Sequence, residues 1–242
     1  GPWANSYDRW RNDNLTNRYQ GVQFGYTSAG RYTSWNDIWS YPGYKERDIL
    51  PGDYKYEDWN GDGEINGQDE HPFAFDQTPW LQFSLNAGLQ WKNLDFNMLL
   101  QGSALGSMEY KEPLHEIWGK NGGGALKQFL DRWHPVDPKA DPYDPSTVWT
   151  SGHYAYTGRW AKNNSAFNRV STAYLRLKSI ELGYTFPKLK QIPNASLRIY
   201  ANAYNLLTFT GVKFVDPEHP DDDLGRMYPL NKTYTLGVSL SF

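Results

Sequence analysis

From 228 to 242 the even positions read Tyr228, Leu230, Lys232, Tyr234, Leu236, Val238, Leu240 and Phe242. The odd positions read Pro229, Asn231, Thr233, Thr235, Gly237, Ser239 and Ser241. Side chains alternate faces along a strand, so this run predicts one apolar face and one small polar face. It is longer than the usual strand of a soluble domain and long enough to cross a bilayer with tilt. The pattern recurs from 80 to 92, with Leu81, Phe83, Leu85, Ala87, Leu89 and Trp91 on one face. Leu94, Phe96, Met98 and Leu100 continue it after Lys92-Asn93, which predicts a tight antiparallel hairpin. Leu197, Ile199, Ala201 and Ala203 oppose Arg198, Tyr200, Asn202 and Tyr204. In 174–186 the phase slips: Leu175 and Leu177 set one register, and Ile180, Leu182, Tyr184 and Phe186 the other. One extra residue near Lys178-Ser179 repairs the slip, which predicts a β-bulge there. A sixth strand is expected around 19–26.

The connections sort by length. Lys92-Asn93 and 187–194 are short, whereas 28–79, 105–171 and 210–227 are long. With antiparallel strands, the short turns fall at one end and the long loops at the other, as in outer-membrane barrels. Such loops are anomalous in a compact soluble domain, where connections run about 4–6 residues. Six strands are too few to close a membrane barrel, which needs about eight. On this reading the chain is therefore part of a larger barrel. The alternation by itself is shared with soluble antiparallel sandwiches.

The composition narrows the field. The 242 residues carry 24 Lys+Arg against 27 Asp+Glu, with no Cys. A net charge of −3 argues against a nucleic-acid binder. The absence of Cys excludes disulfides, zinc-thiolate sites and Cys nucleophiles. Mean hydropathy of −0.75 and the lack of a long apolar run exclude a transmembrane helix but not a strand barrel. Gly1-Pro2-Trp3 opens no secretory signal, so a mature, processed or truncated start is expected.

The strongest local motif runs from 58 to 69. Asp58, Asn60, Asp62, Asn66 and Asp69 offer side-chain oxygens at positions 1, 3, 5, 9 and 12, and the Glu64 carbonyl stands at position 7. Gly63 occupies position 6, where an EF-hand loop turns sharply, and Ile65 is an apolar anchor. Hard oxygen ligands at this spacing suit Ca²⁺. Asp69 is shorter than the usual Glu, which leaves Mg²⁺ or weaker Ca²⁺ binding open. The competing reading is an acidic Gly/Asn turn without an ion. No flanking helix pair is evident, so a structural clip on a loop is expected rather than a signalling switch.

Four blocks, in order from about residue 20 to the end, resemble the SusC/RagA family of TonB-dependent outer-membrane transporters. They are 50–63, from Leu50-Pro51-Gly52-Asp53 to Asn60-Gly61-Asp62-Gly63; 174–187, from Tyr174-Leu175-Arg176 to Phe186-Pro187; Asn205-Leu206-Leu207-Thr208-Phe209-Thr210 followed by Asp216-Pro217-Glu218; and Tyr228-Pro229-Leu230 leading into 236–242. The resemblance implies an all-β fold: a transmembrane β-barrel of about 22 strands, with this chain supplying about the last six antiparallel strands and their long extracellular loops. It implies a Gram-negative outer membrane, import of oligosaccharides or oligopeptides driven by TonB, and a SusD-like surface lipoprotein as partner. Phe242 matches the terminal aromatic read by the outer-membrane assembly machinery. The plug domain and TonB-contact segment lie earlier in the family's sequence and are absent here. No catalytic residue is implied.

The remaining features are weaker. Trp118, Trp133, Trp149 and Trp160 in the 105–171 loop are candidates for stacking on sugar faces. The competing reading is that these rings pack the loops or face the lipoprotein. Tyr184, Phe186 and Tyr234 suit interfacial girdles. Asp221-Asp222-Asp223 reads as a solvated acidic loop, and Gly122-Gly123-Gly124 lacks the context of a phosphate loop. Two other readings compete with the barrel: a soluble calcium-stabilised β-sandwich that binds carbohydrate, and a secreted glycoside hydrolase, which would need a carboxylate pair.

Overall fold

The computed structural model describes residues 18–42, 49–115, 125–157, 164–187, 195–219 and 224–242. The chain divides into two units. One comprises Gln77–Ser107, Ser171–Asp222 and Arg226–Phe242; the other comprises Gly1–Asp76, Met108–Val170 and Asp223–Gly225.

The first unit is one antiparallel sheet of five long strands. These are β1 (Leu81–Trp91), β2 (Leu94–Ala104), β3 (Tyr174–Phe186), β4 (Ser196–Thr210) and β5 (Thr233–Ser241), paired in sequence order. The two-residue turn at Lys92-Asn93 joins β1 to β2, with Trp91 paired to Leu94. Lys92 stands at φ 53°, the positive φ that tight hairpin turns demand. The predicted bulge is present. Leu177 pairs with Leu100 and Ser179 with Leu99, which leaves Lys178 as the extra residue. The disturbance continues into β4, where Leu177 faces Leu207 but Ser179 faces Tyr204. Asn205 absorbs it at φ 52°.

The bulge restores the phase, so one face stays apolar across the whole sheet. Leu89, Phe96, Leu182, Ala201 and Leu236 are successive cross-strand neighbours on that face. It is open: Leu89 is 65% exposed and Leu236 77%. The opposite face is polar. Asp95, Gly183, Tyr200 and Gly237 form one row across it. A Cβ at Gly237 would lie 2.7 Å from Tyr200 Cε1, and one at Gly183 2.6 Å from the Asp95 carboxylate, so each glycine makes room for a neighbour's long side chain.

Two expectations need correction. Residues 23–25 form a three-residue strand, but it pairs with His71–Ala74 in a separate ribbon. Gly21 at φ 78° interrupts the extension that a sixth sheet strand would need. The last strand begins at Thr233 rather than 228. Pro229 lacks an N–H for the ladder, and beyond the Tyr204–Thr233 pair the Asn205 amide donates to the Asn231 carbonyl at 3.0 Å instead.

The second unit is built of short ribbons, among them Ser28–Arg31 with Tyr54–Tyr56 and His134–Pro135 with Trp149–Thr150. A six-residue helix, Trp35–Ser40, is capped by the Ser34 side chain. Tyr26, Tyr56 and Ile65 form a small core, with Tyr54 and Phe167 packed on it. Among the described residues no helix is long and apolar enough to cross a membrane, which leaves crossing by strands open.

Candidate functional site: an EF-hand-type loop and a charged sheet face

The 58–69 loop is closed by its own carboxylates. Asp58 Oδ1 accepts from the N–H of Gly61 at 2.8 Å, and Oδ2 accepts from that of Gly63 at 2.9 Å. Asp62 Oδ1 accepts from Glu64 N–H at 2.8 Å, and Asn66 Oδ1 from Gln68 N–H at 2.7 Å. Asp69 is fully buried and ties the loop's two ends. Its Oδ1 accepts from Trp59 N–H at 2.9 Å and its Oδ2 from Asn66 N–H at 2.8 Å. Burial pushes the Asp69 carboxyl above its ordinary range, against those N–H groups, which pull it down. Gly61 and Gly63 both take positive φ, 74° and 86°, as so tight a loop requires. Ile65 anchors the loop in the small core, and Trp59 stacks on His71 with ring centroids 3.7 Å apart. The donor set is that of a hard cation. Among the described residues, however, no three His, Cys, Asp or Glu side chains converge as a metal site. The Asn60 amide donates to Asp62 Oδ2 at 2.9 Å, and the carboxylates are turned on the loop's own N–H groups.

The four tryptophans do not come together. Trp118 and Trp160 lie outside the described residues. Trp133 is buried, with its ring against Gly52, and its backbone N–H donates to the Tyr154 carbonyl at 2.8 Å. Trp149 is half-buried and meets Tyr156 edge to face at 5.4 Å.

On the sheet's polar face the structure shows a cluster that strand and loop patterns did not single out. Arg176, 1% exposed, forks its Nη2 onto both Asp216 oxygens at 2.8 and 2.7 Å, and its Nη1 donates to Glu218. Lys178 Nζ donates to Glu218 at 3.0 Å, and the Tyr174 hydroxyl donates to Glu218 Oε1 at 3.0 Å. The connection after β4 therefore folds back as a strap, 216–218, pinned to β3 by a buried guanidinium. Charge-assisted bidentate bonds of this kind are the strong ones. A second cluster on the same face joins Arg198 to Asp95 at 2.5 Å and to Glu181 at 2.6 Å. The signal available in the sequence was a pair of cations, Arg176 and Lys178, on one strand and an acidic pair around Pro217 in a later loop.

The sheet thus has one open apolar face and one polar face that carries two ion-pair clusters. No protein-family model matches the chain. Its curated relatives are TonB-dependent receptors. The chain is 28% identical over 211 residues to TonB-dependent receptor P3 of Formosa agariphila, covering 81% of this chain and 19% of that protein. It is 27% identical over 239 residues to TonB-dependent receptor P26 of the same organism, covering 93% and 22%. The chain thus spans about a fifth of the length of these relatives. Among solved structures it is similar to the RagAB peptide transporter, with TM-score 0.60 and 21% identity over 91% of this chain and 23% of that one. The RagAB peptide importer in its 'closed-closed' state gives 0.57 over 90% and 23%. The relatives bear out the resemblance to TonB-dependent receptors, over part of their length, and the RagAB likeness bears out the fold.

Proposed function

We propose that the chain is part of an outer-membrane nutrient importer. Its five strands form a stretch of barrel wall, with the apolar face toward lipid and the polar face toward the lumen. The observation that carries this is the apolar face running through all five strands, with exposed large apolar residues on β1, β3, β4 and β5. Strands of 9 to 15 residues reach across a bilayer core when tilted, which takes about 9–11 residues. A soluble sandwich would need a second sheet over Leu236 and its neighbours, which are instead exposed. The relatives are named as receptors and a transporter, which supports transport rather than catalysis. The cargo would be an oligosaccharide or oligopeptide; RagAB is named a peptide transporter, which favours peptide. TonB would supply the energy and a SusD-like lipoprotein the partner.

We further propose Ca²⁺, or Mg²⁺ in its place, in the 58–69 loop. Asp58, Asn60, Asp62, Asn66 and Asp69 would hold it with the Glu64 carbonyl, and it would fix a loop outside the membrane.

The test is fractionation of the full-length protein in its source organism, with and without TonB. Expected are a detergent-dependent, heat-modifiable species in the outer membrane, co-purification of a surface lipoprotein, and oligomer uptake lost without TonB. A protein soluble without detergent would reject the reading. Metal analysis of the same preparation at millimolar calcium tests the loop, and absence of a bound divalent ion would reject that part alone.

A further inference from the structure

A cavity of about 450 Å³ opens on the polar face where the long connections leave the sheet. Its walls include Gln82, Gln101, Ser103, Thr172, Tyr174 and Glu218. Gln82, Ser103 and Tyr174 are successive cross-strand neighbours, so three rigid strands supply the floor. The strap supplies one side through Pro217 and Glu218. The volume lies in the range of small-molecule sites, about 300–1,000 Å³.

The lining is preorganised. The Tyr174 hydroxyl donates to Glu218 and accepts from Gln101 Nε2 at 3.2 Å, which fixes both the phenol and the amide. Among the described residues of the lining Glu218 alone is charged, and Arg176 and Lys178 neutralise it from behind. Thr172 is 1% exposed, and its hydroxyl has no partner among the described residues. A buried polar group left so is costly unless something bonds to it. The walls thus mix amides and hydroxyls, which donate and accept alike, with a single carboxylate already satisfied. An anion entering would meet that carboxylate and, among the described residues, no lining cation. A cation would compete with Arg176 and Lys178 for it.

We infer that this cavity is a binding subsite for an uncharged, hydrogen-bonding oligomer segment, either neutral sugar hydroxyls or peptide backbone amides, and that a lining without a cation among the described residues leaves anionic segments unmatched. The inference rests on the importer reading and adds to it the charge class of the cargo and the residues that read it.

The test uses the full-length transporter with its partner in detergent, and calorimetry with three probes. These are cellotetraose, the capped peptide acetyl-Ala-Ser-Ala-Ser-amide, and tetragalacturonate. One of the two uncharged probes binds, which distinguishes sugar from peptide, and tetragalacturonate does not. The double variant Gln82→Leu/Gln101→Leu weakens the bound probe at least tenfold. If that variant fails to show heat-modifiable mobility, Ser103→Ala is read instead, with about a threefold loss expected for one hydrogen bond. Binding of neither uncharged probe, preference for tetragalacturonate, or unchanged affinity in the assembled variant would overturn the subsite. If the full-length protein is absent from the outer membrane, the importer reading fails by that measurement and not by the calorimetry.

Discussion

The strap offers a sharp perturbation. Replacing Asp216 by Asn and Glu218 by Gln keeps the shapes and leaves Arg176 buried without a counter-charge. The Arg176 side chain is 2% exposed, and those of Asp216 and Glu218 are 15% and 14% exposed. Removing the partner of a buried ion costs about 3–5 kcal/mol. The amides still accept hydrogen bonds, so the lower end, about 3 kcal/mol, is the expected loss. At ~1.4 kcal/mol per factor of ten, that is on the order of a hundredfold in the strap's opening equilibrium. The readout is hydrogen exchange, by mass spectrometry, of the 211–219 peptide in the full-length protein. Two amides report directly: Glu218 N–H donates to Asp216 Oδ1 at 2.9 Å, and His219 N–H to the Asp216 carbonyl at 3.0 Å. Asn at 216 keeps the first acceptor, so any loss there measures release of the strap and not of the turn. Adding Arg176→Met removes the stranded charge and should recover most of the protection. Exchange within threefold of wild type in the double variant would refute the claim that the guanidinium pins the strap.

Three further outcomes are expected. Leu236→Lys places a charge on the open apolar face and should destabilise the assembled protein by about 2–4 kcal/mol near the bilayer midplane, whereas Thr235→Lys on the polar face should cost little; urea unfolding in liposomes compares them, and equal midpoints would contradict a lipid-facing surface. Deleting Lys178 removes the residue that lets β3 change phase, so the Leu175 side or the Ile180 side of the strand must invert; loss of the heat-modifiable form is the measure, and normal assembly would show that the bulge relocates. Burial holds His115, in the long 105–171 loop, down to about 4 from its ordinary 6.5. The folded state thus binds that proton less readily than the unfolded one, so the contribution is complete above pH 6.5 and is lost as the pH falls toward 4; urea midpoints should drop over that window, and His115→Asn should flatten the drop.

The sheet was legible because its physics is local. Alternation marked all five strands, the two-residue turn marked the hairpin, and the slip between Leu177 and Ile180 marked the bulge. The errors came where tertiary context overrides pattern. Residues 19–26 alternate well enough, but Gly21 turns the chain and the segment finds His71–Ala74 as its partner. Positions 228–232 alternate too, yet Pro229 and the Asn205 contact end the ladder before them. The strap was out of reach for a different reason. Its charges lie 40 residues from their partners, and a strand with two cations looks the same whether a loop returns to it or not. The 58–69 spacing foretold the turn and the glycines, whereas the direction of each carboxylate depends on backbone N–H groups that spacing does not reveal. Trp133 shows the same limit: an aromatic in a long loop carries no mark that tells packing from display.

The row of Asp95, Gly183, Tyr200 and Gly237 bears on how this wall can change over generations. Each glycine is the empty half of a pair whose full half sits on the next strand. A larger residue at 237 is admissible only after Tyr200 has shrunk, and a smaller residue at 200 bares the backbone of Gly237. Arg198 is drawn in as well, since its guanidinium lies 4.7 Å from the Tyr200 ring centroid while bonding Asp95 above Gly183. These positions, far apart along the chain, should therefore drift as a unit, with intermediates that pass through a hole or a clash.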